Sequence, residues 1–290
     1  MSRIAYVNGR YVPHAQARVH IEDRGFQFAD SVYEVCEVWH GHIVDSIRHL
    51  DRLQRSLSEL SMAWPVSRRA LESILREVIR RNKVETGLVY LQVSRGAAHR
   101  DFHFPKPGTK PTLVVTSRSS SPAVREKVTE NGIKVVTTPD IRWARVDIKT
   151  TAMTAQVLAK ETAVRAGAKE AFMVDKDGFV TEGSSSTAWI VDQDGTFITR
   201  PTNMGILPGI TRMAIMDYVE RHNMKVEERP FTVEEAKTAR EAFVTSASAT
   251  LTPVVQIDDT VIGNGKPGSI ASQLRAEFHD YVEKQSIKHF

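Results

Sequence analysis

Alternating apolar and polar residues predict β-strands at the start of the chain. The segment IAYVNGRYV alternates around Asn8-Gly9, the dipeptide favoured in two-residue hairpin turns. The segment from Ser31 to Trp39 alternates again, which places Tyr33 on one face of a strand and Glu34 on the other. A second hairpin is predicted where a His-Gly turn follows this strand.

The hydrophobic period then lengthens and predicts two helices. In the first helix the leucines at helical spacing are Leu50, Leu53, Leu57 and Leu60. In the second helix the apolar positions are Leu71, Ile74, Leu75, Val78 and Ile79, with Ser67 as a suitable N-cap. Two further strands are predicted at Leu88–Gly96 and Thr112–Arg118.

A change of composition separates this block from the rest of the chain. The segment SRSSSPA, Ser117 to Ala123, is short, polar and proline-containing, which is typical of a linker. The later elements are predicted as a strand at IKVVTTPDI, a helix at Thr151–Ala166, strands at EAFMVD, FVTEGSSSTAWIVD and TFITR, a helix at Ile210–Asn223, paired strands within EAFVTSASATLTPVVQID and a helix at Ser269–Glu283. We therefore predict a mixed α/β or α+β protein with domains at residues 1–119 and 125–290, joined by a linker at 120–124.

Composition narrows the class of protein. The net charge is +4 and the basic residues are scattered, so we do not expect a nucleic-acid partner. Cys36 is the only cysteine, which is typical of a reducing compartment. The start of the sequence has no signal-type apolar core, and no apolar run approaches the roughly 20 residues that span a bilayer. We predict a soluble cytoplasmic protein without membrane partners or a metal site.

The first candidate for a catalytic residue is Lys149, in the segment WARVDIKTTAM. Lysine is costly to desolvate, and most lysines lay their stem on apolar surface with the amine in water. The alternative is an amine held in a pocket, where it can attack carbonyls and form Schiff bases. Lys149 alone does not distinguish the two interpretations, so its companions in the sequence decide.

Four further features supply possible partners for one cofactor. Glu182 precedes a run of three serines, and a carboxylate there could bind a protonated ring nitrogen. Gly209 precedes a helix that starts with Ile210 and Thr211, whose free N–H groups form a phosphate cup. The segment VTSASATLTPV offers a second turn of small residues, and Arg52 a guanidinium. Each is individually common in turns, caps or helix surfaces. Together, an amine, a carboxylate and a phosphate cup match pyridoxal phosphate.

The same segments resemble the fold-type IV pyridoxal-phosphate enzymes, the class IV aminotransferases. The resemblance covers nearly the whole chain and rests on the motifs DRGFQFADSVYEV, HLDRL, VSRGAAHRDFHFP, DIRWARVDIKT, VLAKETAVRAG, VTEGSSST, LPGITR and FVTSASATLTPV. Within the family the sequence is most similar to D-amino-acid aminotransferases. The resemblance implies a smaller N-terminal α/β domain, a larger C-terminal domain and a cofactor between them.

The resemblance also implies roles for individual residues. Lys149 is expected to form the Schiff base with the cofactor and to move the substrate proton. Glu182 is expected to pair with the pyridine nitrogen. The residues expected at the phosphate or against the ring are Arg52, Leu207, Ile210, Thr211, Ser246 and Ala247. Relatives often carry a hydroxyl where Ala247 stands, so only its backbone N–H is expected to contribute.

Substrate residues are implied less completely. D-amino-acid aminotransferases hold the substrate carboxylate with a strand tyrosine and an Arg-x-His pair from the neighbouring subunit, and Tyr33 and Arg100 match the first two. Val35 lies on the same face as Tyr33. Phe102 stands where the family has histidine, with His103 one residue later. We include His103 as a candidate, because a shift of one residue can be absorbed in an irregular loop.

The implied activity is transamination of D-amino acids, such as D-alanine and D-glutamate, with 2-oxoglutarate or pyruvate as acceptor. A homodimer with a shared active site is also implied. Three alternatives stay open at this point: a branched-chain L-amino-acid aminotransferase, an aminodeoxychorismate lyase, and a non-catalytic binding protein that keeps the fold.

Overall fold

The chain divides into two units in a computed structural model that describes residues 3–203 and 205–287, apart from the side chains of residues 279 and 284–287. The first unit holds the chain up to Ser121, together with Ile148–Ala152 and the end of the last helix from Val282. The second unit holds Pro122–Asp147 and Met153–Tyr281. Lys149 therefore belongs to the first unit, although the chain on either side of it belongs to the second.

The first unit is built on an antiparallel sheet with the strand order β2-β1-β6-β5-β3-β4. Its strands are β1 (Ile4–Val7), β2 (Arg10–Pro13), β3 (Ser31–Trp39), β4 (His42–Ile43), β5 (Gly87–Ser94) and β6 (Thr112–Ser119). Its helices are α1 (Arg24–Phe28), α2 (Ser46–Glu59) and α3 (Arg68–Asn82), with a 3₁₀ turn at His14–Gln16. The predicted hairpin at Asn8-Gly9 is confirmed, with positive φ at both residues, 44° and 91°.

The core of the first unit forms on one face of the sheet, where α2 packs on β3 and α3 packs on β1 and β6. Leu50, Leu53 and Leu57 of the predicted stripe are buried and pack in one cluster with residues of β3, while Leu60 caps the end of α2 and is only partly buried. Ser67 caps α3 as predicted, its Oγ accepting the N–H of Ala70 at 3.3 Å. The same face of β3 also carries Glu34, whose side chain is completely buried, and a buried carboxylate requires partners.

The second unit is built on a nine-stranded sheet with the order β12-β11-β10-β13-β14-β7-β8-β9, and β15 pairs with β14. Its strands are β7 (Ile133–Pro139), β8 (Glu170–Val174), β9 (Val180–Gly183), β10 (Thr187–Val191), β11 (Phe197–Thr199), β12 (Val226–Glu228), β13 (Glu241–Ser246), β14 (Thr250–Ile257) and β15 (Thr260–Val261). Its helices are α4 (Pro122–Asn131), α5 (Thr154–Arg165), α6 (Ile210–Arg221), α7 (Val233–Thr238) and α8 (Ser269–Ile287), the last of which continues into the first unit. No helix among the described residues has both the length and the apolar character needed to cross a bilayer.

The structure differs from the prediction at FVTEGSSSTAWIVD and at the start of α5, each for a local reason. The segment FVTEGSSSTAWIVD is not one strand, because a turn through Ser184–Ser186 separates β9 from β10 and is closed by the N–H of Gly183 donating to Ser186 O at 2.8 Å. Helix α5 begins at Thr154 rather than Thr151. The residues before it are held by β3, since the N–H of Thr151 donates to Ser31 O at 3.1 Å.

Candidate active site

Lys149 is fixed through its backbone beside the first residues of β3. Its carbonyl accepts the N–H of Tyr33 at 3.0 Å, and its own N–H donates to Ser56 Oγ at 3.4 Å. Val32 and Thr150 pair next to it as an antiparallel bridge. These contacts hold the Cα of Lys149, so its amine extends from a rigid point.

The amine of Lys149 lies on the side of the sheet predicted for substrate residues. Its Nζ is 4.3 Å from the ring centre of Tyr33, and that ring packs 5.7 Å from Tyr90. Val35 is opposite Tyr90 in the strand register and Gln92 is opposite Tyr33, so these side chains share one face. The Tyr90 hydroxyl donates to Gln92 at 2.8 Å. Burial, with a smaller contribution from Tyr33, raises the pKa of Tyr90 to about 12, so it stays protonated.

Arg52 lies on the other face of β3 and is bound by Glu34. Its Nε and Nη2 donate to the two carboxylate oxygens of Glu34 at 2.8 and 2.7 Å. His49, one turn earlier on α2, is 2.7 Å from the same carboxylate through Nδ1. The pairing fixes the direction of the guanidinium, and the predicted phosphate contact of Arg52 stays a prediction.

Arg100 and His103 lie on the irregular segment between β5 and β6. The guanidinium of Arg100 stacks over the ring of Phe28 at 5.1 Å and lies 5.9 Å from the ring of Phe102. The side chain of His103 is exposed and its Nδ1 is 3.2 Å from Asp101. This segment is not a strand, so the strict alternation that would turn His103 away from Arg100 does not apply.

In the second unit, Glu182 is buried at the end of β9 and bound by Arg142. Arg142 also donates to Asp140 through Nε at 2.9 Å and Nη2 at 2.7 Å. The hydroxyl of Thr181 donates to Asp140 at 2.7 Å. Two carboxylates therefore flank one guanidinium in a largely buried network.

The three serines after Glu182 are bound by another carboxylate, that of Glu170. Ser184 donates to Glu170 through its hydroxyl and through its N–H at 3.1 Å. Ser185 and Ser186 donate their hydroxyls at 3.3 and 3.1 Å. The sequence left open whether these hydroxyls serve a cofactor oxygen or the turn itself, and the structure shows them stabilising the turn.

The start of α6, predicted to bind phosphate, lies against β10 and β13. Gly209 is the N-cap and has no side chain to accept from the first-turn N–H groups of Ile210 and Thr211. A Cβ at Gly209 would lie 2.9 Å from Thr187 Oγ1, so the helix start packs closely on β10. Thr187 in turn pairs with Thr245 of β13.

The second predicted phosphate turn follows directly from this edge. Ser246 ends β13, next to Thr245, and its Oγ accepts the N–H of Ala249 at 3.2 Å across the turn that contains Ala247. The structure thus brings both predicted phosphate-binding turns to neighbouring strand ends in one unit. Leu207 lies half-buried in the loop before α6, two residues after Gly205.

Sequence reasoning missed several residues that bind or flank the candidates in each unit. Arg142 and Asp140 lie within the DIRW motif, but nothing in their spacing shows that they reach Glu182, 40 residues later. Glu34 could have been found, because a charged residue on the apolar face of a strand needs a partner. The face that Tyr33 shares with Tyr90 and Gln92 follows only from the pairing register of β3 and β5.

The chain matches one sequence family over most of its length. The family described as amino-transferase class IV matches residues 31–257. D-alanine aminotransferase from Staphylococcus aureus (strain N315) is 39% identical over 282 residues, which cover 97% of this chain and 99% of that protein.

Solved structures match the fold as a whole. Branched-chain amino acid aminotransferase from Escherichia coli superposes with a TM-score of 0.89 at 22% identity, covering 97% of this chain and 95% of that one. A hypothetical aminotransferase from Mycobacterium tuberculosis, solved in its PLP-bound form, has a TM-score of 0.84 at 20% identity, covering 97% of this chain and 99% of that one.

Proposed function

This chain belongs to the class IV amino-transferases, and we propose that it transfers the amino group of D-amino acids to 2-oxo acids with pyridoxal 5'-phosphate as cofactor. D-alanine and D-glutamate are the proposed donors, and 2-oxoglutarate and pyruvate the proposed acceptors. The observation that carries the proposal is 39% identity to a D-alanine aminotransferase over 97% of the chain. Branched-chain aminotransferase structures share between 22% and 27% identity with it, a weaker basis for assigning a substrate.

The described residues fit pyridoxal phosphate. Lys149 supplies the amine that its aldehyde needs, and Glu182 a buried carboxylate for its ring nitrogen. The first turn of α6 offers N–H groups for its phosphate, and Gly209 lets that turn pack closely on β10, because a Cβ there would lie 2.9 Å from Thr187 Oγ1. We propose that Thr211, Ser246 and the backbone of Ala247 complete the phosphate site. When bound, this cofactor withdraws electrons from the bonds of the substrate Cα.

We propose that Lys149 is the base that takes the proton from the substrate Cα. Its backbone is held by Tyr33 and Ser56, so the amine moves only on its own flexible stem. A fixed origin for the base favours proton transfer on one side of the substrate. Glu182 would balance the positive charge of a protonated ring nitrogen while the proton is transferred.

We propose that Tyr33 and Arg100 bind the substrate carboxylate, with Val35 beside them and His103 at the rim. Tyr33 already lies against the amine of Lys149, so a carboxylate bound at its hydroxyl would place the substrate close to the base. A guanidinium suits a carboxylate through two parallel hydrogen bonds. The position of the carboxylate relative to Lys149 then decides which enantiomer reacts.

A homodimer in the cytoplasm is part of the proposal, with Arg100 and His103 serving the neighbouring subunit. Large apolar side chains are exposed in the first unit around α1 and the loop that carries Arg100, namely Ile21, Phe26, Phe102 and Phe104. A bridge between Asp23 and Ala97 joins the two segments. Exposed apolar side chains grouped in this way support an interface with a second copy.

An amino-donor panel tests the proposed function. Purified protein loaded with pyridoxal phosphate is offered both enantiomers of alanine, glutamate, leucine and valine with each acceptor, and the 2-oxo acid produced is measured. We expect turnover with D-alanine or D-glutamate and none with the L-enantiomers. Activity restricted to L-leucine or L-valine would refute the proposed preference for D-amino acids. A protein that binds no pyridoxal phosphate would refute the proposal that it is an aminotransferase.

A further inference from the structure

We propose that Asp140 and Arg142 act through Glu182 to set how tightly the cofactor's ring nitrogen holds its proton. The inference rests on the proposed function, because it concerns the same ring nitrogen. Neither residue is expected to touch the cofactor, so both are positioning residues. What they position is a carboxylate and the charge around it.

Asp140, Arg142 and Glu182 form a hydrogen-bonded clamp with the guanidinium in the middle. Asp140 receives Nε and Nη2 of Arg142 on its two oxygens, at 2.9 and 2.7 Å, the fork arrangement in which a guanidinium binds a carboxylate most firmly. The remaining Nη1 donates to Glu182 Oε2. Asp140 is itself held by the hydroxyl of Thr181 and by its own N–H, which donates to Val174 O at 2.7 Å.

The network is shielded from water, so its charges act strongly on each other. The side chains of Arg142, Glu182 and Asp140 are only 5%, 8% and 11% exposed. Burial would raise the pKa of Asp140, but its bonds with Arg142 and Thr181 outweigh this and lower it. Asp140 is therefore ionised at neutral pH.

The signs of the three charges explain why both carboxylates are present. Arg142 binds and orients Glu182, but a cation so close also repels a proton on the ring nitrogen. Asp140 cancels that repulsion. The three side chains together carry one net negative charge, and a protonated ring nitrogen balances it.

Two neighbouring pairs of charged side chains are bound to each other. Asp175 follows β8, which pairs with β7 and β9, and it accepts Arg200 Nη1 at 2.8 Å. Arg145 and Asp147 bind each other at 2.9 Å. These pairs are close to neutral, whereas Asp140 has a direct link to Glu182.

The experiment measures the protonation of the ring nitrogen directly. Protein loaded with pyridoxal phosphate labelled with ¹⁵N in the ring is titrated by NMR, since the nitrogen shift reports its protonation. We expect Asp140→Asn to lower the proton affinity of the ring nitrogen by about tenfold or more. That is the size of effect expected when one unit charge is removed from a partly buried position. Asp175→Asn is the matched control, because it neutralises a neighbouring aspartate that binds Arg200 and should leave the nitrogen unchanged.

A second variant reverses the sign and does not depend on whether Asp140→Asn folds. Arg142→Gln leaves two carboxylates and should strengthen the proton affinity of the ring nitrogen. The double variant Asp140→Asn with Arg142→Gln restores one net negative charge and should return the titration towards that of the wild type. A clamp that acted only by packing would not give these opposite signs.

Different results would refute the proposed function and the proposed role of Asp140 and Arg142. Wild-type protein that binds no cofactor would remove the proposed function before any variant is made. Wild-type protein with a protonated ring nitrogen, and Asp140→Asn and Arg142→Gln with unchanged titrations, would overturn this inference alone.

Discussion

Glu34 accepts two hydrogen bonds from the guanidinium of Arg52, at 2.8 and 2.7 Å, while its side chain is sealed from solvent. The pair joins α2 to β3, the strand that carries Tyr33 on its opposite face. The direction of Arg52 and the position of Tyr33 are therefore set by the same strand. A change at Glu34 should affect both the fold and the site.

Replacing Glu34 with glutamine should lower the free energy of unfolding at pH 7 by about 3–5 kcal/mol. The substitution leaves the charge of Arg52 buried without its counter-charge, and breaking one side of a buried ion pair costs this much. Urea denaturation of the cofactor-free protein, followed by circular dichroism, measures the change.

The control for this experiment is Glu59→Gln, the same substitution at the end of α2. Glu59 is 4.0 Å from Arg55 and both side chains are exposed. Exposed pairs of this kind contribute about 0–1 kcal/mol. Equal losses in the two variants would show that burial of the Glu34–Arg52 pair has no special weight.

Glu34 should also give the protein a distinct acid sensitivity. Burial alone would raise its pKa, but the charge and hydrogen bonds of Arg52, with those of His49, hold it at about 2 instead of 4.5. A carboxylate whose pKa is lower in the folded protein stabilises it above the unfolded pKa, and this contribution is lost as pH falls through the folded pKa. About 3 kcal/mol should therefore disappear between about pH 4.5 and pH 2.

The difference between wild type and Glu34→Gln isolates that contribution from the other carboxylates. Urea curves for both proteins at pH 7, 4 and 3 should show the wild type losing its advantage as pH falls. A difference in the free energy of unfolding that stays constant from pH 7 to pH 3 would contradict the assignment.

The sequence predicted most elements of the first unit because their periods are clear. The alternation from Ser31 to Trp39 coincides with β3, and the leucine spacing identified α2. Helix α4, which begins at Pro122 in the predicted linker, was missed. Its apolar positions show little helical periodicity, so the polar, proline-containing start determined the interpretation.

Candidate site residues could be named from the sequence where a motif suggests the chemistry, but contacts between distant residues were missed. Lys149 and Glu182 could be named from their own segments. The bonds of Arg142 to Glu182 and of Glu170 to the serine turn could not be predicted, since they join residues 40 and 14–16 positions apart. Such pairs depend on sheet register, which hydrophobic periodicity does not give.

Replacing Lys149 with alanine should abolish turnover, because no other amine is fixed against Tyr33 in the described part of the chain. Borohydride treatment of the cofactor-loaded wild type, followed by peptide mapping, should place the label on Lys149. The alanine variant should take no label. Label on a different lysine would refute the assigned role.

Lys160→Ala is the control for that experiment. Its amine donates to the carbonyl of Lys169, and it is 3.8 Å from Glu170, in a half-exposed position on α5. Labelling of Lys149 and turnover should persist in this variant.

Gly209→Ala should weaken cofactor binding through a steric effect. The φ of Gly209 is −66°, which any residue adopts, so only space is limiting. The new Cβ would lie 2.9 Å from Thr187 Oγ1 and push α6 away from β10. We expect the dissociation constant for pyridoxal phosphate to rise about tenfold or more. This change corresponds to the lower end of the free-energy cost of inserting an extra methyl group into a packed region.

The double variant Gly209→Ala with Thr187→Ala provides the internal control, since it removes the colliding hydroxyl. Cofactor titrations followed by absorbance give all four dissociation constants of the cycle. The double variant should bind better than the sum of the single effects predicts. Strict additivity would mean that the two residues are not in contact.

Glu170→Ala should loosen the turn after Glu182 and weaken cofactor binding without any change in Glu182 itself. The carboxylate of Glu170 accepts from three serine hydroxyls and from the N–H groups of Ala171 and Ser184. Loss of the carboxylate leaves these buried donors unpaired. Each donor that water cannot reach should then lower the free energy of unfolding by about 1–3 kcal/mol. Urea denaturation of the cofactor-free protein and a cofactor titration measure the two effects.

Glu170→Gln should be milder, because its side-chain oxygen can keep the two N–H donors and its amide can donate to serine hydroxyls. A graded loss of stability and cofactor affinity, from wild type through glutamine to alanine, is the expected result. If the alanine variant matched the wild type in both measurements, the serine turn would not depend on Glu170. The position of Glu182 would then have to be explained by its bond to Arg142.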